Sequence, residues 1–287
     1  MSTPPHARDH AADEIHDHDR GLSHDLPILI SRRRALGVIG GGVAFVLAGC
    51  SSDDDKAATT DAATSTATTE TATTETTSGD TAAVPEETGG PYPGDGSNGP
   101  NVLTESGVVR QDITTSFGDA SGTAEGVPTT VELTLIDVHG GGGPLAGAAV
   151  YLWHCNRDGA YSLYDQSIAD QNYLRGVQES DKDGKLSFKT IYPAAYSGRW
   201  PHIHFEVYEN LEAATAAQTK LRTSQIALPE DACTKVFATA GYEQSVQNMK
   251  SSSLDTDNVF SDGYASQLAT ASGSVSDGMT LKLNVGV

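Results

Sequence analysis

An all-β fold is expected for this chain of 287 residues: a single β-sandwich with short helices, preceded by a signal peptide and a disordered linker. Three observations predict it. Apolar and polar residues alternate in short runs; Gly, Pro and Asp punctuate those runs; and helical periodicity is confined to short pieces near 211–220 and 233–249. This pattern occupies residues 88–287. With 37% hydrophobic and 20% charged residues, not every stretch can join a packed core. A formal charge of −20 repels nucleic-acid phosphates, so nucleic acid is excluded as a partner. No apolar run approaches the roughly 20 residues of a membrane span, and three cysteines build neither a disulfide scaffold nor a four-cysteine zinc site.

The N-terminal segment carries an address. Residues 31–50 read SRRRALGVIGGGVAFVLAGC, an arginine cluster at Arg32, Arg33 and Arg34 followed by an apolar run the length of a signal-peptide core. Ser-Arg-Arg before a Gly-rich apolar segment resembles a twin-arginine export signal, and Leu47-Ala48-Gly49-Cys50 resembles the lipobox of bacterial lipoproteins. The resemblance implies loss of residues 1–49, lipidation of Cys50, and a domain exported and anchored at the outer face of the bacterial cell membrane. His6, His10, His16, His18 and His24 leave with the leader, so they form no mature metal site. Residues 50–87, rich in Thr, Ala, Ser, Asp and Glu, cannot bury enough surface to offset chain entropy. They read as a tether averaging roughly 35 Å in reach. With Cys50 lipidated, Cys155 and Cys233 are the two thiols left, and a disulfide between them is expected outside the cell; the alternative is two separate buried thiols.

Each strand of the sandwich has its own signature. Val131, Leu133 and Leu135 alternate with Glu132 and Thr134; Leu186 and Phe188 with Lys185, Ser187 and Lys189; Leu281, Leu283 and Val285 with Lys282 and Asn284. Gly140 to Pro144 and Asp183-Gly184 are turn signals, and Asp181-Lys182-Asp183-Gly184 reads as a hairpin turn because it lacks the later ligands of a calcium loop.

The chemistry concentrates between Tyr151 and Tyr208, which hold seven of the ten tyrosines, both tryptophans, and His154, His202 and His204. In Arg199-Trp200-Pro201-His202-Ile203-His204-Phe205-Glu206-Val207, strand alternation turns both imidazoles to one face and Ile203, Phe205 and Val207 to the core. Two imidazoles at i and i+2 can share a metal, and zinc, copper, nickel and iron all suit them. The abundance of tyrosine points further, because a phenol ionises on a hard trivalent cation, and two phenolates with a hydroxide neutralise Fe(III). A copper or zinc site on the paired histidines remains the rival at this stage.

Four ordered segments carry a family resemblance: Val150 to Cys155, Asp158 to Ser162, Thr190 to Tyr196, and Arg199 to Phe205. Together they resemble the intradiol ring-cleavage dioxygenases, and Gly90-Pro91-Tyr92 with Val109 to Ile113 is similar to the opening segment of that family's extracellular branch. The resemblance implies one non-haem Fe(III) per chain, a small aromatic diol and dioxygen as substrates, and a cis,cis-muconate-type product. By position, Tyr161 and Tyr196 match the paired tyrosinates, His202 and His204 the paired histidines, Arg199 the active-site arginine, and Gln225 the glutamine just outside the ligand set. Tyr164 is the rival of Tyr161. Tyr196 and His202 are only six positions apart, a shorter loop than in cytoplasmic members, and Trp200-Pro201 stands where Pro-Ala is usual, so pocket shape is expected to differ. The reading from another class is a non-catalytic surface lipoprotein whose sandwich binds aromatic or carbohydrate ligands.

Overall fold

The computed structural model describes residues 82–287, so the signal peptide, Cys50 and most of the tether lie outside the described residues. Nine strands and three short helices follow one another: β1 (Pro128–Asp137), β2 (Gly143–Pro144), β3 (Ala149–Trp153), β4 (Arg175–Glu179), β5 (Lys185–Ile191), β6 (His202–Tyr208), α1 (Leu211–Thr215), β7 (Arg222–Ala227), α2 (Glu230–Phe237), α3 (Glu243–Met249), β8 (Thr270–Ser274) and β9 (Gly278–Gly286). In the first sheet β1 is antiparallel to β2 and β5 on one side and parallel to β9 on the other, and β8 closes beside β9. The second sheet runs β4-β3-β6-β7, antiparallel throughout.

The alternation read in the sequence sets the core. Val131 lies between Phe188 and Leu281, and Leu133 between Leu186 and Leu283. These rows pack with Val150, Leu152, Ile203, Phe205, Val207 and Ile226 of the second sheet in one apolar cluster. Each such side chain contributes about 1.5–3 kcal/mol when fully buried.

The second sheet departs from simple alternation, and that places the site. All five residues of β3 and all seven of β6 are buried. A strand buried on both faces needs a covering layer outside the sandwich. The layer consists of loops holding Val102, Leu103, Val108, Cys155, Tyr161 and Ala194, packed on Tyr151, Trp153 and Tyr208.

Three expectations are corrected. The domain begins before residue 88: Val84 is buried in the inter-sheet core, its N–H donates to Gly286 O at 3.0 Å, and the Glu87 N–H donates to Thr223 O at 2.8 Å. One apolar side chain at the right register suffices to recruit this polar segment to a sheet edge. Asp181 to Lys185 is a tight turn, with Asp181 Oδ1 accepting the N–H groups of Asp183 and Lys185, but it carries the chain from one sheet to the other instead of closing a hairpin. Cys155 and Cys233 are both free and buried. Cys155 donates to Ala194 O at 3.7 Å in the covering layer, and Cys233 lies 3.3 Å from Tyr192 Oη in the inter-sheet core, so they belong to different apolar clusters. Burial pushes both thiols up to about 12, which leaves them unreactive at neutral pH.

Candidate metal centre

Strand β6 presents His202 and His204 on the face turned to the covering loops, and their Nε2 atoms lie 3.1 Å apart. His202 Nδ1 is 2.5 Å from the Trp200 carbonyl, which only accepts, so Nδ1 carries the hydrogen and Nε2 keeps its lone pair. The Trp153 ring, opposite His204 in the β3–β6 register, stacks on that imidazole at 4.9 Å and 8°. Burial first, then the Arg199 guanidinium, holds His202 well below the usual histidine range; burial, His202 and Arg199 do the same to His204. Both rings are therefore neutral donors.

Two phenols complete the cluster. Tyr196 Oη is 3.1 Å from His202 Nε2. The Tyr161 ring meets Tyr196 edge-on at 5.9 Å and His204 at 6.1 Å. Its hydroxyl is buried and makes no hydrogen bond of ordinary geometry. Burial pushes Tyr196 up to about 12, with Arg199 opposing; burial and the nearby Tyr196 push Tyr161 well above its ordinary value. Gly159 allows the two to approach: its φ is +87°, and a Cβ there would meet Tyr196 Cβ at 3.1 Å.

An orphaned buried hydroxyl is costly, and the other three donor atoms, with His202 Nε2 3.1 Å from both Tyr196 Oη and His204 Nε2, gain little from mutual contact. Two neutral nitrogens and two ionisable oxygens suit a hard trivalent cation, whose charge favours the phenolate form. Among the described residues, no three His, Cys, Asp or Glu side chains form a metal-holding group, and the side-chain oxygens gathered beside the imidazole pair are the phenols of Tyr161 and Tyr196.

Tyr164 stands apart. Its hydroxyl donates to Asn98 Oδ1 at 2.7 Å and accepts the Gly94 N–H at 2.8 Å. Arg199 is buried beside the centre with Nη1 3.4 Å from His202 Nε2, and its Nη2 donates to Gln225 Oε1 at 2.7 Å. The register sets Gln225 directly opposite His204. Trp200 turns away: its Nε1 donates to Leu228 O at 2.8 Å and its ring joins Val259 and Phe260, so it does not shape the site directly.

Among the neighbours of the centre, Gly90-Pro91-Tyr92 is legible in the sequence only through the family resemblance, while Arg175 and Asp257 carry no sequence signal of their place here. Residues 88–92 form a strap across the centre, with Thr88 O accepting from Gln225 Nε2 at 2.9 Å and Tyr92 packed 5.0 Å from the Tyr161 ring. At Gly90 (φ +71°) the strap passes so close that a Cβ would sit 3.4 Å from His204 Cε1. The wholly buried Arg175 fastens the strap by donating to the carbonyls of Tyr92, Pro93 and Ser162. Beside Tyr161 is a cavity of about 280 Å³, lined also by Tyr92, Gly159, Tyr164 and Asp165. Asp257 buttresses Arg199 from behind.

A family model described as Dioxygenase matches residues 98–255, more than half of the chain, a stretch that contains Tyr161, Tyr196, Arg199, His202, His204 and Gln225. The chain belongs to the intradiol ring-cleavage dioxygenase family. Within that family, it is 43% identical over 56 residues to catechol 1,2-dioxygenase 1 of Acinetobacter lwoffii, covering 19% of this chain and 18% of that protein. It is 32% identical over 117 residues to 6-chlorohydroxyquinol 1,2-dioxygenase of Cupriavidus pinatubonensis, covering 32% and 41%. The aligned stretches thus span less than half of these relatives. The intradiol ring-cleavage dioxygenase of Tetranychus urticae shares the fold, with a TM-score of 0.52 and 24% identity over 63% of this chain and 87% of that one.

Proposed function

We propose that this intradiol dioxygenase-family domain binds one Fe(III) through Tyr161, Tyr196, His202 and His204 and cleaves catechol-type diols with dioxygen, incorporating both oxygen atoms into a cis,cis-muconate-type product. The observation that carries the reading is the meeting of Tyr196 Oη, His202 Nε2 and His204 Nε2 beside the unpartnered Tyr161 hydroxyl. A bound ferric ion would supply the acidification of the diol hydroxyls and the electron withdrawal that opens the ring to dioxygen.

The side chains divide the remaining work. His202, its Nδ1–H held by the Trp200 carbonyl, keeps its Nε2 lone pair aimed into the site, and His204, neutral and stacked on Trp153, turns its Nε2 to the same place. Tyr161, buried at the edge of the cavity, would be the fixed phenolate donor. Tyr196 is half-buried at the end of a loop, so its oxygen is the one free to take a proton from a substrate hydroxyl. Arg199 keeps its charge at any working pH and stabilises negative charge as it develops beside His202. Tyr92 and Tyr164 offer aromatic walls to a flat ring.

The test is iron content, visible colour and oxygen uptake of the purified protein with catechol, hydroxyquinol and protocatechuate. Red-brown protein with one iron per chain and diol-dependent uptake is expected, and His204→Ala should lose most of the iron. Colourless wild type that takes up no ferric ion would refute the reading and leave a binding lipoprotein in its place. The same proposal places the domain outside the bacterial membrane on a lipid at Cys50, supported by Arg32 to Arg34 and Leu47 to Cys50. Because stable anchoring takes more than one acyl chain, a Cys50→Ser variant should fractionate as soluble protein or uncleaved precursor.

A further inference from the structure

Asp257 lies two residues beyond the stretch matched by the family model, in a segment that forms no strand. Its side chain is wholly buried. Oδ2 accepts from Arg199 Nε at 2.9 Å and from the Trp200 N–H at 2.7 Å. Oδ1 accepts the N–H groups of Val259 and Phe260, at 2.9 and 3.3 Å, and Arg199 Nη2 at 3.3 Å. Gln225 takes the same Nη2 from the other side. The guanidinium is therefore clamped along its Nε–Nη2 edge, and Nη1 is the corner turned to His202.

We infer that Asp257 is the positioning residue of Arg199: it fixes the guanidinium edge-on so that Nη1 faces the place where substrate charge develops. This deepens the proposed dioxygenase reading and rests on it. A long arginine side chain loses rotamer entropy when it is held in one pose, and a clamp made before substrate arrives removes that cost from the reacting complex. The geometry is specific to this role. A loop staple would need only the backbone N–H groups of Val259 and Phe260, whereas Asp257 also spends both oxygens on the Nε–Nη2 edge. Through Trp200 N–H it further fixes the chain two residues before His202. Asp257 hydrogen-bonds to neither imidazole; its side-chain partner at the centre is Arg199, and an effect carried instead through the Trp200 backbone to His202 would show as a change in iron content and spectrum.

The experiment is a double-mutant cycle of Asp257→Asn and Arg199→Ala on iron-loaded protein, read as kcat and KM for catechol-dependent oxygen uptake, iron content, visible spectrum and melting temperature. Asp257→Asn should lower kcat by about 10- to 100-fold, the range expected for a misplaced catalytic group, with KM, iron and spectrum nearly unchanged. In the Arg199→Ala background the same substitution should cost less than about threefold, because the residue it positions is gone. Equal losses in both backgrounds, or a kcat within about twofold of wild type, would overturn the inference. Should Asp257→Asn not fold, Asp257→Glu carries the same comparison, keeping the charge but displacing the carboxylate. Wild type without iron or activity refutes the dioxygenase reading by itself. Asp257 is then judged from ¹⁵N-arginine spectra: an Arg199 Nε–H protected from exchange in wild type and exposed in Asp257→Asn supports the clamp, and one equally protected in both overturns it.

Discussion

Acid should destabilise the domain through His154, and the size of the effect follows from where that ring sits. His154 is fully buried; Nδ1 faces Cys155 O at 2.8 Å and Nε2 faces Thr190 Oγ1 at 2.7 Å. The carbonyl accepts only, so Nδ1–H donates to it and Nε2 accepts from the threonine hydroxyl. Burial pulls the ring down from 6.5 to about 4, partly opposed by the Cys155 carbonyl. The sign follows directly: between those values the unfolded chain holds a proton that the folded one refuses, so stability is present above 6.5 and is lost as pH falls through the folded value. At pH 4.5 the loss from this one ring is about 2.5 kcal/mol, equivalent to a fall in Tm of roughly 5–10 °C for a domain of this size. Urea and thermal unfolding of wild type and His154→Gln at pH 7.5 and 4.5 measure it. His202 and His204 shift in the same direction but are common to both proteins, so the difference isolates His154. Equal acid sensitivity in the two proteins would refute the reasoning.

Three further outcomes are expected. Tyr161→Phe should bleach iron-loaded protein while Tyr164→Phe, whose hydroxyl serves Asn98 and Gly94, keeps colour and activity; visible spectra of the pair decide it. Val84→Ala should cost about 2 kcal/mol, read as a lower urea midpoint, because that side chain is part of the inter-sheet core. Thiol titration of denatured, unreduced domain lacking Cys50 should count two free thiols, since Cys155 and Cys233 occupy different clusters.

Sequence legibility followed locality. The period of two in β1, β5 and β9 was readable because one face of each strand meets solvent, and it also oriented His202 and His204 correctly. In β3 it was hidden, because AVYLW is buried on both faces and reads as a plain apolar run. Tyr161, Tyr196, Arg199 and Gln225 were found through short ordered motifs, and the structure brings them together with the imidazoles. What escaped notice depends on contacts distant in sequence. Asp257 is one carboxylate in a polar stretch until Arg199 is set against it. Val84 is a lone valine among threonines and alanines until Gly286 pairs beside it. The counting argument for a disulfide failed for the same reason, since a tally of thiols contains no distance.

The last strand of the domain lies inside its sheet, not at the rim. β9 pairs along its length with β1, Thr129 opposite Met279, and carries β8 on its other flank. A nascent chain therefore cannot assemble this sheet until β9 has been synthesised, and until then β1 exposes an unpaired, apolar-lined edge of the kind that recruits other chains. A stop codon just before Gly278 would not trim a margin. It would split the sheet between β1 and β8, leaving a chain with every residue of the candidate metal centre present and no finished scaffold to hold them.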